Sequence, residues 1–248
     1  MINPMWVVID KSFLQQADYN ELSRIISNGF RLLLTARIAY EIDTTDTMEE
    51  RQRCLRALNV FKDNVDLIEE DGSNGLLGYE INEKKPSGYV LQSYIHSIPH
   101  NLGQYLQGIN SSQWVEDFEK YPADDFKNIV LEIKNKVPLL NKDDLRKCNI
   151  VRDIYARLMN SKPIECIDVH WLIFRRIQVD GWMVLDRARV NDQNRLHDRI
   201  DSRVVDVALL TKGLATNDKL MKNIFKFFCP EGKLFSKELN GGICGTYG

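Results

Sequence analysis

The stretch Met5-Trp6-Val7-Val8-Ile9-Asp10-Lys11-Ser12 decides the reading of the fold. Met5 to Ile9 is an apolar run, too short for a helix and rich in β-branched side chains. Such a run reads as a buried strand, and here it stops at an acid. Working outward, Asp18 to Ser27 carries Leu22, Ile25 and Ile26 on one helical face and ends at Asn28-Gly29. Arg31 to Thr35 reads as a second strand, followed by a short helix with Ala36, Ile38, Ala39 and Glu41. A charged helix from Met48 to Phe61 leads to a weak third strand, Val65 to Ile68. Strand alternating with helix is the pattern of an α/β fold, a parallel sheet flanked by helices.

The pattern breaks over residues 69–88, where Asp71-Gly72-Ser73-Asn74-Gly75 and Pro86-Ser87-Gly88 mark loop. From 89 to 190 apolar residues recur at helical spacing, as in Phe126, Ile129, Val130 and Ile133. That segment reads as a large, mainly helical insertion packed on the core. The α/β pattern returns near Asp201. Val204, Val205, Ala208 and Leu209 mark a helix face, Gly213 ends that helix, Leu214 to Thr216 is a short strand, and Asn217-Asp218 opens another helix. The expected organisation is a core from residues 1–88 and 191–230, an insertion over 89–190, and a flexible C-terminal tail over 231–248.

Charge nearly cancels, with 33 Lys and Arg against 35 Asp and Glu. This excludes a protein whose whole surface binds polyanions, while leaving room for a local basic patch. No stretch approaches the roughly 18 uncharged apolar residues of a membrane span. The N-terminus has no basic segment followed by an apolar run, so no secretory signal is expected. The five cysteines are irregularly spaced with no CxxC pair. They read as reduced thiols, and the cytoplasm is the expected location.

Three acids share one context. Asp10 follows the first strand, Glu41 lies on the helix after the second, and Asp218 follows the last short strand. Parallel sheets bind ligands at the carboxyl ends of their strands, so these acids should meet on one edge. Asp201, opening the helix before the last strand, points to the same edge. Packed carboxylates raise each other's pKa and are tolerated around a divalent cation. Oxygen-only donors suit Mg²⁺ or Mn²⁺, ions that activate water for phosphodiester hydrolysis. Singly, each acid also has a structural use: Asp10, Asp201 and Asp218 as helix N-caps, Glu41 as a solvated helix residue. Arginines are dense between Arg175 and Arg203. They either match phosphate geometry or form ion pairs with Asp180 and Asp186. His96 and His100 are four apart, but Pro99 interrupts the helix such spacing needs, and they read as packing or surface residues.

Val7-Val8-Ile9-Asp10-Lys11-Ser12 resembles the opening strand of PIN-domain ribonucleases. Ile38-Ala39-Tyr40-Glu41-Ile42 is similar to the family's second motif. Asp201 to Asp218 (DSRVVDVALLTKGLATND) resembles the third and fourth, with Thr216-Asn217-Asp218 the most specific match. The resemblance spans residues 5–68 and 198–228. It implies a PIN-like fold and a Mg²⁺- or Mn²⁺-dependent endoribonuclease, with Asp10, Glu41, Asp201 and Asp218 as the catalytic and metal-binding set. Ser12, Thr216 and Asn217 would support these acids, and Arg199, Arg203 and His197 would meet the RNA. Asp198 and Asp206 compete with Asp201 as the third acid. The 17 positions from Asp201 to Asp218 suit one helix, one turn and one strand. Asp206 lies about 140° further round the helix and faces elsewhere. The implied partners are RNA and either a protein partner or a second copy of the chain, with no membrane. The alternatives are a DNA or flap nuclease of the same fold and a non-catalytic PIN-like assembly module.

Overall fold

The computed structural model describes residues 5–16, 19–69, 75–97, 140–158, 167–186 and 195–237, with the backbone alone for 97, 158 and 195–200. The expected helix through Phe126 to Ile133, His100, the tail beyond 237, and the side chains of His197, Asp198 and Arg199 lie outside the described residues.

The chain forms an α/β sheet protein. Its strands are β1 (Met5–Ile9), β2 (Phe30–Thr35), β3 (Val65–Ile68), β4 (Ile95–Ser97), β5 (Gly213–Ala215) and β6 (Lys233–Phe235). They hydrogen-bond in the order β4-β3-β2-β1-β5-β6. All pairings are parallel except β3 with β4 at one edge. The apolar runs explain the centre. Val7, Val8, Ile9, Leu32, Leu33 and Leu34 are almost wholly buried, as strands covered on both faces must be. Asp66 interrupts the third run, and its carboxylate is neutralised in place. Arg31 forks onto it at 2.6 and 2.7 Å, and Trp6 Nε1 donates at 2.9 Å.

Among the described residues the helices are α1 (Lys11–Gln16), α2 (Tyr19–Ser27), α3 (Ala36–Asp43), α4 (Met48–Val60), α5 (Leu76–Glu83), α6 (Cys148–Leu158), α7 (Leu172–Asp186), α8 (Arg195–Thr211) and α9 (Lys219–Phe228). α8 lies against β1, β5, α3 and α9, and α7 packs along α8. α8 ends at Lys212, which takes the left-handed conformation (φ 58°), one residue before the glycine expected to stop it. Gly213 has a different task. A Cβ there would stand 2.5 Å from the Trp6 carbonyl oxygen, so only glycine lets β5 start this close to β1.

Two short strands fall where the sequence pattern shows none. Ile95–Ser97 pairs with β3, inside the segment read as helical. Lys233–Phe235 pairs with β5, inside the segment read as tail. Three residues are too few for an alternating pattern to register, and each strand depends on its neighbour for pairing.

Two buried polar clusters tie the middle of the chain to the core. Glu80 of α5 accepts from Ser87 N (3.1 Å), Ser87 Oγ (2.7 Å), Leu172 N and Ile173 N (3.0 Å), closing the open first turn of α7. Burial holds its carboxyl above the usual range, and the hydrogen bonds from Ile173, Ser87 and Leu172 pull the other way. Between α7 and α8, Arg203 reaches Asp180 and Asp206 at 3.0 Å each, and Arg176 reaches Asp206 at 3.2 Å. Both aspartates are fully buried. Cys54, Cys148 and Cys229 are free thiols, and among the described residues no helix is long and apolar enough to cross a membrane.

Candidate functional site

Strand order reverses at β1, which has β2 on one side and β5 on the other. A crevice opens beyond the carboxyl ends of such strands. Asp10 is the first residue past β1 there. Its backbone N–H donates to the Ala215 carbonyl (2.9 Å), tying the ends of β1 and β5 together. The residue is only 4% exposed. The Ser12 hydroxyl donates to Asp10 Oδ2, and the Thr216 hydroxyl donates to the same oxygen at 2.8 Å. Each hydroxyl is itself held by a backbone donor, Ser12 Oγ by Asn217 N (3.2 Å) and Thr216 Oγ1 by Asp218 N (3.0 Å). Asn217 braces the surroundings: its Nδ2 reaches the Ser12 carbonyl (3.4 Å) and Gln16 Oε1 (3.3 Å), and its Oδ1 accepts from Lys237 N (2.9 Å).

Burial pushes the Asp10 carboxyl up to about 6. The Ser12 and Thr216 hydrogen bonds oppose this, and the negative charges of Glu41 and Asp218 add to it. Glu41 rides on α3, whose first turn is capped by Thr35 Oγ1 accepting from Ile38 N (3.3 Å). Glu41 Oε1 accepts from Lys11 Nζ at 3.3 Å. Cys54 of α4 lies buried beside this group. Burial drives its thiol to about 12, with Lys11 opposing and Glu41, Glu50 and Asp10 contributing. Asp218 caps α9, with Oδ1 accepting from Met221 N at 2.8 Å.

Asp10, Ser12, Thr216, Asn217 and Asp218 are thus brought into one hydrogen-bonded group, with Glu41 acting on Asp10 through its charge. Asp201 stands half-buried on α8 and has interactions of its own. Asp206 is elsewhere, in the ion cluster with α7. Burial pushes its carboxyl up to about 6 against the pull of Arg203 and Arg176. Arg203, a residue expected to meet RNA, is turned into that same cluster and is 3% exposed. Its guanidinium is committed to Asp180 and Asp206. His96 is an exposed residue of β4.

A cleft of about 460 Å³ opens beside Asp10, lined by Ser12, Gln16, Asn217, Asp218, Lys222 and Lys237. Lys11, Gln16, Lys222 and Lys237 are not marked by any sequence pattern. Only their position one helical turn or less from the site residues could have drawn attention to Lys11, Gln16 and Lys222.

The donor set is oxygen-only and so fits Mg²⁺ or Mn²⁺ in kind. Among the described residues, however, no three His, Cys, Asp or Glu side chains are grouped to hold an ion. Glu41 is drawn onto Lys11, and one oxygen of Asp218 is used as a cap. Comparisons with family models, curated proteins and solved structures returned no match.

Proposed function

We propose that the chain is a PIN-like, Mg²⁺- or Mn²⁺-dependent endoribonuclease, with a core from residues 1–88 and 191–230 and a mainly helical insertion over 89–190. The observation that carries this reading is Asp10: a carboxylate past the central strand, gripped by two hydroxyls, pushed up by burial and further by two neighbouring acids. Such an arrangement costs folding energy and is relieved by a cation. Asp10, Glu41 and Asp218, with Asp201 from α8, would hold the ion. The ion would supply an activated water and offset charge on the departing oxygen. Ser12 and Thr216 orient Asp10, and Asn217 keeps Ser12 in place. Lys222 and Lys237 put positive charge on the cleft wall, where phosphates of RNA would lie.

The pairing of Glu41 with Lys11 favours a second reading, a non-catalytic PIN-like assembly module, because it occupies an acid that catalysis requires. Incubation of the purified full chain with labelled single-stranded RNA, and with DNA of the same sequence, separates these. Cleavage of RNA with Mg²⁺ or Mn²⁺, none with chelator, and loss in Asp10→Asn and Asp218→Asn are expected. Cutting of DNA instead would move the assignment to a DNA nuclease. Absence of cleavage under all ions tried would leave the assembly module.

A further inference from the structure

Lys11 directly follows the buried acid, yet its side chain does not run out to solvent. It folds back over the site, Nζ standing 3.3 Å from Glu41 Oε1. The two side chains are only 17% and 20% exposed. The hydrogen-bond partners of Asp10 are neutral hydroxyls, and that of Asp218 is a backbone N–H. Lys11 is therefore a cation bonded directly to one acid of this group.

We propose that Lys11 is a built-in counter-ion of the acidic site: its ammonium neutralises Glu41 in the metal-free protein and is displaced when a divalent cation takes that carboxylate. No covalent bond changes; one cation replaces another on the same oxygen. The inference rests on the metal-dependent reading above. It accounts for the carboxylates being near enough to raise Asp10 yet not grouped around a common point. It also makes Lys11 a determinant of how tightly the site holds its ion.

Mn²⁺ binding tests this on the full chain, read from the electron paramagnetic resonance of free Mn²⁺ in wild type, Lys11→Met, Glu41→Gln and the double variant. Melting temperatures are taken in chelator and in Mn²⁺ on the same samples. Lys11→Met is expected to bind Mn²⁺ about tenfold tighter than wild type, the order set by removing one partly screened competing charge. It should melt lower in chelator, where Glu41 is left uncompensated, and gain more from Mn²⁺. In the Glu41→Gln background the same change should bring little gain, because the competition runs through that carboxylate. Lys11→Gln, shorter and polar, repeats the measurement if the methionine variant folds poorly. Binding equal to or weaker than wild type in both Lys11 variants overturns the proposal and leaves the metal reading standing. So does a gain that persists undiminished in Glu41→Gln. If none of the proteins binds Mn²⁺, the metal reading falls and this proposal with it.

Discussion

The Thr216 hydroxyl donates a 2.8 Å hydrogen bond to Asp10 Oδ2 across 206 positions of sequence. The same hydroxyl oxygen accepts from Asp218 N. One side chain therefore fixes both the acid past β1 and the entry to α9. Replacing it with valine, nearly isosteric, leaves a buried carboxylate without one donor and a backbone N–H without its acceptor. A loss of about 1–3 kcal/mol in urea unfolding is expected. Thr216→Ser should recover most of it. A valine variant as stable as wild type would remove Thr216 from the site's framework.

Asp10→Asn separates charge from shape. An asparagine oxygen can accept the same two hydroxyls, so the fold should persist. The wild-type carboxyl titrates near 6 in the folded chain and at about 3.9 when unfolded. The folded state thus favours the neutral form. Its stabilising contribution is complete below about pH 4 and lost as pH rises through 6. In chelator the variant should match wild type at pH 4 and exceed it above pH 6, by roughly 3 kcal/mol at most. Under the proposed function, in which Asp10 would be a metal ligand, RNA cleavage should fall by about a hundredfold or more from the loss of that charge. Urea curves at both pH values and a cleavage assay check the two halves; a pH-independent stability difference would contradict the burial argument.

Asp206→Asn probes the ion cluster. Arg176 and Arg203 are buried against Asp206, and neutralising it leaves their charges short of a counter-ion. A loss of about 3–5 kcal/mol is expected. Under the proposed function, cleavage per folded molecule, measured at low temperature, should stay near wild type. An unchanged denaturation midpoint with dead enzyme would make Asp206, not Asp201, the third acid.

Glu80→Gln tests the clamp between α5 and α7. The carboxylate accepts four hydrogen bonds through two oxygens, whereas a glutamine turns one of those oxygens into an NH₂ facing backbone donors. About 2–3 kcal/mol should be lost. Faster amide exchange at Leu172 and Ile173 would localise it; uniform exchange rates throughout would argue against a local clamp.

The central sheet was legible because apolar runs such as Met5–Ile9 and Phe30–Thr35 can be covered only on two faces, and the acids after them follow from the topology. Asp10 and Thr216 could be brought together in thought only because both end neighbouring strands. What escaped was determined by tertiary contact. Arg203 reads as an RNA contact or an ion-pair partner of the aspartates near it, and Asp206 as an acid facing away from the site; nothing local says that α7 buries both against Arg176 and Asp180. Nothing in the sequence marks Lys11 until Glu41 is placed across from it. β4 and β6 carry too few residues for a pattern, and Glu80 falls in a stretch read as loop, where the structure forms α5.

The order of strands has a consequence for the chain as it leaves the ribosome. β1 and β2 can pair early, but the other edge of β1 waits for β5, about two hundred residues later. At roughly 5–20 residues per second this is an interval on the order of 10–40 s. Through that time β1 presents unpaired backbone to its surroundings, and Asp10 has neither Thr216 nor Asp218 beside it. The nascent protein can therefore bring Asp10 and Glu41 together early, but completes the group with Thr216 and Asp218 only when β5 closes the gap.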